Sequence, residues 1–174
     1  MRNPKTKPVS KRKPASKPKL RLVGKPKAKP QRRRVAKFLL QHARDTSFVG
    51  KGLRSFWEYR DLGLEKATGG RYSAQITRAK QAGHESTGIH FHTPDAQIFY
   101  VLKGWFKAEY RGQGVVKVEA GSFLHNPPGN PHTVFEYSDD LEFLEITAPA
   151  AYATVDVETV EGPVRPNKPR KKSA

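Results

Sequence analysis

The sequence predicts an all-β domain, a β-sandwich or β-barrel, between two basic terminal segments. About eight short runs rich in β-branched and aromatic residues begin near residue 56, and turn residues separate most of them. No stretch alternates strands with long helical patterns, as a βαβ unit requires. The chain of 174 residues is long enough for one domain with a core, but its hydrophobic fraction of 36% indicates that part of it lies outside that core.

Positive charge is concentrated at the two ends of the chain. Residues 1–37 hold 16 Lys or Arg and no acid, residues 162–174 hold 5 and no acid, and residues 38–161 hold 12 basic against 16 acidic residues. In the first of these segments regularly spaced prolines remove helix donors, and in both the like charges repel one another. We therefore predict disordered basic tails over residues 1–37 and 162–174 and one folded domain over residues 46–160.

Local patterns predict one short helix followed by the strands. Residues 32–44 place Val35, Phe38, Leu39 and His42 on one side of a helix. The predicted strands are residues 56–59, 72–79, 87–92, 98–102, 105–110, 115–119, 132–137 and 141–147. Turn signals lie at residues 68–70, 111–114 and 138–140. No unit repeats at a fixed period, so the strands are expected to form a single barrel.

The composition excludes several classes of protein. Without cysteine there is no disulfide framework and no thiolate ligand, so a metal must bind through nitrogen and oxygen atoms. The longest apolar run near the N-terminus is residues 38–40, which is too short for a signal-peptide core or a membrane span. We therefore expect a cytoplasmic protein without membrane contact, and the basic tails leave association with a nucleoid or nucleus open.

Two histidines lie at the centre of the predicted domain. His90 and His92 are two residues apart, so in a strand both imidazoles lie on one face about 6.6 Å apart along the backbone. Pro94 and Asp95 have the chemistry of a turn before the alternating run 98–102. The pattern predicts a hairpin in which Gln97 extends its carboxamide oxygen back towards the two imidazoles.

A second stretch supplies a third imidazole. Residues 121–136 read G-S-F-L-H-N-P-P-G-N-P-H-T-V-F-E, in which a tight Pro/Gly turn precedes a β-branched and aromatic strand. His132 lies at the start of that strand. Three histidines at such spacings are far more typical of a metal site than one buried histidine is.

These two stretches resemble the motifs of the cupin superfamily, G-x5-H-x-H-x3,4-E-x6-G and G-x5-P-x-G-x2-H-x3-N. The residues at matching positions are His90, His92, Gln97 and Gly104 in the first motif and Gly121, Pro127, Gly129 and His132 in the second. The chain departs from the family pattern at two ligand-motif positions, where Gln97 replaces the usual Glu and Glu136 replaces the usual Asn, and the first glycine of motif one is displaced.

The resemblance implies a double-stranded β-helix, or jelly-roll barrel, with a mononuclear metal site. It places His90, His92, His132 and Gln97 as ligands of a divalent ion. Imidazole suits Fe, Mn, Ni, Cu, Co and Zn, so the ligands do not select the metal. Cupin barrels commonly associate through edge strands, which implies a homodimer.

Gln97 would change the electrostatics of such a site. Three histidines and one glutamine are neutral, so the full charge of a divalent ion remains to lower the pKa of bound water and to polarise a substrate oxygen. Ligands without negative charge also make oxidation of the divalent ion to the trivalent ion harder. This disfavours electron donation from the metal to dioxygen. Gln97 can alternatively orient a histidine or a water from outside the coordination sphere. Asp95 replaces it only if the turn differs from the one predicted.

Other polar residues are weaker candidates for the site. Glu136 is a candidate general base, but it lies about 13 Å along the strand from His132 and also fits a rim carboxylate. His84 and His125 lie near the motifs as proton shuttles or as ordinary surface histidines. Arg78 and Lys80 could meet an anionic substrate or simply be solvated.

Two functions are compatible with these observations. The first is a metal-dependent enzyme that acts on a small polar metabolite by isomerase, lyase or hydration chemistry rather than by dioxygenation. The second is a non-catalytic module that binds a small ligand and is tethered to nucleic acid by its tails. The tails carry 21 cationic groups, which favours binding to phosphate backbones without sequence preference, although a solubilising role explains them equally well.

Overall fold

The computed structural model describes residues 35–50 and 52–162, and within them ten strands form two antiparallel sheets. A 3₁₀ turn, Ala43–Asp45, precedes the strands, and one short helix, α1, Leu64–Thr68, lies between the first two. The strands are β1 Trp57–Asp61, β2 Ser73–Ala79, β3 His90–His92, β4 Ala96–Lys103, β5 Trp105–Tyr110, β6 Gly114–Glu119, β7 Phe123–Asn126, β8 His132–Tyr137, β9 Glu142–Ala148 and β10 Thr154–Asp156.

The two sheets have the strand orders β1-β2-β9-β4-β7 and β10-β3-β8-β5-β6. Except for β1 with β2 and β5 with β6, strands that follow one another in the chain therefore lie in different sheets. This alternation confirms the predicted all-β jelly-roll barrel. The predicted tails lie almost wholly at residues 1–34 and 163–174, outside the described residues. In the described part of the chain, no helix has the length and apolar character needed to cross a bilayer.

Inward-facing side chains change from apolar to polar along the barrel. At one end Val101 on β4 pairs with Phe143 on β9, and both are at most 4% exposed. Four residues further along the same pair of strands, Gln97 of β4 lies opposite Thr147. The second sheet changes in the same way, from Phe106 opposite Tyr137 to Tyr110 opposite His132. The hydrophobic core therefore fills one end of the barrel, and the polar residues surround a cavity nearer the other end.

The connection between β3 and β4, within the first histidine-containing motif, differs from the predicted hairpin. β3 pairs with β8 and β10, whereas β4 pairs with β7 and β9, so residues 93–95 form a corner between sheets. The hairpin prediction was wrong because Pro94 and Asp95 fit a corner as well as a hairpin turn. Gln97 consequently faces the imidazoles from the opposite sheet.

The predicted helix at residues 32–44 is also wrong over the part that the structure describes. Residues 35–42 have no regular secondary structure, and Val35 and Phe38 are 90% and 92% exposed. A helix of this length is marginal unless its apolar face packs against something, and Val35 and Phe38 of that face remain exposed. Lys37 instead donates its backbone N–H to Ala67 O of α1 at 2.9 Å.

Candidate metal centre

Three histidines converge inside the barrel. His90 on β3 pairs directly with His132 on β8, and His92 lies two residues further along β3. One ring nitrogen of each histidine lies within 4.8 Å of those of the other two, and all three side chains are buried. The ring centroids are 4.5 Å apart for His90 and His132 and 4.7 Å apart for His90 and His92.

Hydrogen bonds orient each imidazole through its Nδ1 atom. His90 Nδ1 lies 2.8 Å from Gly88 O and His132 Nδ1 lies 3.0 Å from Asn130 O. Since a carbonyl oxygen only accepts, both Nδ1 atoms carry the proton, and both Nε2 atoms present a lone pair. His92 Nδ1 lies 2.9 Å from Thr154 Oγ1, which is compatible with the same tautomer.

The Nε2 atoms of His90 and His132 therefore present lone pairs towards the cavity, and His92 Nε2 does so as well when its Nδ1 carries the proton. His90 Nε2 and His92 Nε2 are 3.2 Å apart. Two nitrogens bound at about 2.1 Å to one tetrahedral ion lie roughly 3.4 Å apart, so the observed separation fits shared coordination. Neutral imidazoles arranged in this way repel one another unless a cation or a proton lies between them. The donor set thus fits a divalent metal ion.

The Pro/Gly turn of the second motif also holds the first motif in place. Gly129 N donates to His92 O at 2.8 Å, and Asn130 N donates to Pro127 O at 3.3 Å within the turn. Gly129 has φ +72°, a left-handed conformation that favours glycine. The turn between β7 and β8 therefore positions His92 through the backbone while it delivers His132.

Burial keeps the three imidazoles neutral. Desolvation lowers the pKa of His92 to about 3 and that of His132 to about 4, and it lowers the pKa of His90 as well. Repulsion among the imidazoles adds to the effect on His92 and His132, and the positive charge of Arg54 adds to it on all three. Neutral imidazole is the form that binds a metal, so the cluster is ready for coordination at neutral pH.

Gln97 lies in the same cavity, with both ends of its carboxamide hydrogen-bonded. Its Nε2 donates to Glu145 Oε1 at 2.7 Å, and its Oε1 accepts from Asn126 Nδ2 at 3.0 Å. Oε1 keeps a second lone pair. Direct ligation by Gln97 therefore stays a prediction that the hydrogen bonds permit.

Glu145 is a residue of this cavity that the motifs did not identify. It lies on β9, and its two oxygens accept from Gln97 Nε2 and, at 2.8 Å, from Gln75 Nε2. Burial raises the pKa of the carboxyl, while these two amide donors oppose the rise. The signal in the sequence was its position between Phe143 and Thr147, where an acid shares the inward face of a strand with buried neighbours. The amide of Gln97 thus has a carboxyl group directly behind it.

Glu136 does not face the cavity. A β-bulge shifts the register of β8 against β5, so that Ala108 pairs with Val134 but the next residue, Lys107, pairs with Glu136. The bulge turns Glu136 to the outer face, where its Oε2 accepts from Lys107 Nζ at 2.7 Å. The prediction that Glu136 faces the cavity was wrong because it assumed that side chains alternate between the two faces of β8 without a bulge.

The remaining weak candidates lie on the surface. His84, Asp95 and His125 are exposed and do not line the cavity. Arg78 is paired with Glu58 at 2.8 Å, and Lys80 Nζ donates to Ser55 O at 2.5 Å.

The cavity has a volume of about 270 Å³ and three kinds of wall. The imidazoles form one wall, and Tyr110 stacks on His132 with ring centroids 5.3 Å apart. A polar wall comes from the opposite sheet, and an aromatic floor adjoins the core. Gly52, Leu53 and Arg54, from the segment that precedes β1, complete the lining. The polar wall consists of Gln75, Thr77, Gln97 and Glu145, and the floor includes Trp57, Phe99, Phe106 and Phe143.

Comparison with known proteins gives the same fold. Residues 79–147 match the family profile described as cupin domain. The polyketide cyclase RemF from Streptomyces resistomycificus is 22% identical, with a TM-score of 0.58 over 70% of this chain and 87% of its own. Oxalate decarboxylase from Bacillus subtilis is 17% identical, with a TM-score of 0.54 over 71% of this chain and 33% of its own. A nucleoside dehydratase is 14% identical, with a TM-score of 0.51 over 69% of this chain and 92% of its own.

No protein with a curated description has a significantly similar sequence. The family profile covers both histidine-containing motifs, and the solved structures share the two-sheet barrel at low sequence identity. The barrel of this chain therefore has the cupin fold, and the cupin domain profile matches residues 79–147 of it.

Proposed function

We propose that this protein is a mononuclear metal-dependent enzyme that acts on a small polar metabolite by isomerase, lyase or hydration chemistry. One observation carries the proposal, namely three buried imidazoles that are fixed through Nδ1 and whose remaining nitrogens converge. His90, His92 and His132 would hold the ion, with Gln97 as a possible fourth ligand. A bound divalent ion would act as a Lewis acid on a substrate oxygen.

A network of hydrogen bonds among the protein's own residues would hold the site in place around the substrate. A chain of hydrogen bonds runs from Asn130 Nδ2 to Asn126 Oδ1 at 3.1 Å, from Asn126 to Gln97, and from Gln97 to Glu145. Asn130 also supplies the carbonyl that fixes the tautomer of His132. The network thus connects the orientation of one imidazole to the carboxyl group of Glu145 on the opposite sheet.

Non-oxidative chemistry is favoured over dioxygenation for two reasons. The histidines and Gln97 are neutral as ligands, which leaves the charge of a divalent ion available to polarise a substrate. In addition, two of the structures that share this fold are a polyketide cyclase and a nucleoside dehydratase, names that describe ring closure and loss of water. Oxalate decarboxylase, with its Mn(II) centres, shows that the fold also accommodates metal-dependent decarboxylation.

The metal content of the purified protein tests this proposal. We expect about one equivalent of a first-row divalent metal in the wild type and little in His90→Ala or His132→Ala. His125→Ala, which removes an exposed histidine of β7, is the matched control and should keep the metal. Turnover of a panel of carbonyl compounds and sugar acids should then depend on the bound metal.

Two outcomes contradict the proposal. A wild-type protein that takes up no metal after incubation with Mn, Fe, Co, Ni, Cu or Zn salts would exclude the metal centre. A protein that binds small ligands equally well without metal and turns none of them over would instead support the non-catalytic binding module.

We also propose a cytoplasmic homodimer whose basic tails contact nucleic acid without sequence preference. β7 is an edge strand in the described sheet, and Phe123 on it is 66% exposed beside Tyr100 of β4. An exposed edge with apolar side chains favours association with a second copy. Sedimentation should show a dimer that Phe123→Asp converts to a monomer, and a wild-type monomer at all concentrations would exclude this interface.

A further inference from the structure

Three buried polar atoms around the cavity have no hydrogen-bond partner among the described residues. They are Arg54 Nη2, Trp57 Nε1 and Thr77 Oγ1, and their residues all line the cavity. Two further atoms of this kind, Arg60 Nε and Thr147 Oγ1, belong to residues that do not line it. A buried polar group without a hydrogen-bond partner is destabilising, so a cluster of them in one cavity calls for a partner inside that cavity.

The chemistry of these atoms defines that partner. A guanidinium and an indole N–H only donate hydrogen bonds, and the threonine hydroxyl can donate as well. Their complement is a molecule rich in acceptor oxygens. Arg54 adds a full positive charge, and its fork of N–H groups matches the two oxygens of a carboxylate.

No protein carboxylate neutralises Arg54 within the described part of the chain. Its side chain forms no ion pair there, whereas Arg78 is paired with Glu58 at 2.8 Å. Of the described residues that line the cavity, Glu145 is the one carboxylate, and both its oxygens already accept amide N–H groups from Gln75 and Gln97. The charge of Arg54 is therefore available to a bound anion.

The backbone holds Arg54 at the cavity. Arg54 N donates to Tyr59 Oη at 3.1 Å, and the Tyr59 ring lies so close to Gly52 that a Cβ at residue 52 would overlap with it. Val49 of the same segment forms a β-bridge with Tyr59. This packing of Val49, Gly52 and Arg54 on β1 reduces the conformational freedom that Arg54 would lose on binding a ligand.

We propose that the cavity binds a small organic carboxylate, with the carboxylate group on Arg54 and further oxygen atoms towards Trp57 and Thr77. The proposal names the substrate class of the metal-dependent reaction proposed above and rests on that function for its catalytic meaning. The volume of about 270 Å³ restricts the ligand to a small molecule. Gly52, Leu53 and Arg54 lie outside residues 79–147, so this anion contact is separate from the two histidine motifs.

Binding of matched acids and amides tests the proposal. Short-chain carboxylates, beginning with malonate and lactate, are titrated calorimetrically against the full chain alongside malonamide and lactamide. The wild type should bind at least one acid about tenfold more tightly than its amide. Arg54→Gln should weaken binding of that acid about tenfold or more, and Arg54→Lys should restore part of the loss. Arg44→Gln, which removes an exposed cation of the preceding segment, should bind as the wild type does.

Each contrary outcome overturns the proposal. It fails if no acid of the panel binds at millimolar concentration, if acids and amides bind equally, or if Arg54→Gln binds as the wild type does. Thr77→Val provides a second variant should Arg54→Gln not fold. That substitution should weaken acid binding several-fold without lowering the thermal unfolding midpoint of the ligand-free protein, and unchanged affinity would count against the proposal.

Measurements on chelator-treated and metal-loaded protein separate the two proposals. If acid binding depends on Arg54 although the protein takes up no metal, the anion site stands and the metal-dependent function fails. If metal binds stoichiometrically but no acid is preferred over its amide, the metal-dependent function stands and the anion site fails.

Discussion

A single hydroxyl orients one of the candidate metal ligands. Thr154 Oγ1 lies 2.9 Å from His92 Nδ1, whereas the other two imidazoles are fixed by backbone carbonyls that substitution does not remove. Partners of this kind typically change metal affinity by 10- to 100-fold in other proteins. The side chain of Thr154 is thus a contact to a candidate ligand that mutation can delete cleanly.

We expect Thr154→Val to weaken zinc binding by about tenfold or more, because His92 loses the partner that fixes its tautomer and ring orientation. Competition with a chromophoric chelator measures the affinity. Thr93→Val is the matched control, since Thr93 Oγ1 contacts Ala153 O and no imidazole. Equal affinities of Thr154→Val and the wild type would show that Thr154 does not position the ring.

The lowered pKa values of the imidazoles predict acid sensitivity of the metal-free protein. In the unfolded chain histidine takes up a proton near pH 6.5, whereas His92 and His132 in the fold do so near pH 3 and pH 4. Between these values the unfolded state binds more protons, so the free energy of unfolding falls as the pH decreases from about 6.5 towards 4. Each imidazole contributes a slope of up to about 1.4 kcal/mol per pH unit.

Urea unfolding with chelator present at pH 7.5, 6 and 5 measures this slope. A double variant, His92→Gln with His132→Gln, should flatten it, because neither replacement titrates. If the double variant and the wild type lose stability equally between pH 7.5 and pH 5, other groups are responsible for the acid sensitivity.

At the scale of elements, the turn between β4 and β5 requires glycine more strictly than the other turns do. Gly104 has φ +63°, and a Cβ there would overlap with Ser138 Oγ and lie 2.5 Å from Asp140 Oδ1. Gly112, between β5 and β6, has a similar φ of +73° but open space around the same position. An alanine at residue 112 therefore adds conformational strain alone, whereas an alanine at residue 104 adds strain and steric overlap together.

We expect Gly104→Ala to lower the free energy of unfolding by at least about 2 kcal/mol, from strain and overlap together. Gly112→Ala should cost only about 1 kcal/mol, from the left-handed conformation alone. Chemical denaturation of both variants measures the difference. Equal losses would mean that residues 138–141 move away from residue 104 at little cost.

The elements also show how much of the barrel the sequence could predict. Period-2 patterns identified eight strands that the structure contains, because alternation of burial is a property of each strand alone. β7 and β10 were missed, since four and three residues are too few to show alternation and neither strand has a marker such as the paired histidines of the equally short β3. The corner at residues 93–95 and the bulge near Phe135 were missed because they depend on which sheet or neighbour a strand meets.

In the candidate site, the residues of the histidine motifs could be predicted from the sequence, and the other polar residues could not. His90, His92 and His132 follow from motif spacing, which is local. Glu145 and Arg54 carry no motif and reach the cavity only through tertiary packing, so no spacing rule finds them. An acid at an inward position of a buried strand is the signal that would have identified Glu145.

For the whole molecule, the contrast in charge between the tails and the barrel has a measurable effect. The terminal segments 1–37 and 162–174 hold 21 of the 33 cationic residues, whereas residues 38–161 carry a net negative charge. Binding of such segments to phosphate backbones releases counterions and weakens steeply with salt.

We expect full-length protein to elute from a DNA column at a clearly higher salt concentration than a variant that lacks residues 1–34 and 163–174. A bound metal should not alter the elution of either form. Should both forms elute at the same salt concentration, the tails would not serve as nucleic-acid contacts.

Arg54 enters the barrel from a segment that precedes both histidine motifs, and this has an evolutionary consequence. If Arg54 binds the carboxylate as proposed, recognition and reactivity are encoded in separate stretches of the chain, so replacement of a few residues before β1 would change the accepted molecule while leaving the chemistry untouched. A chimaera that receives residues 49–56 from another barrel of this fold would therefore exchange preference between acids and neutral compounds and retain its metal.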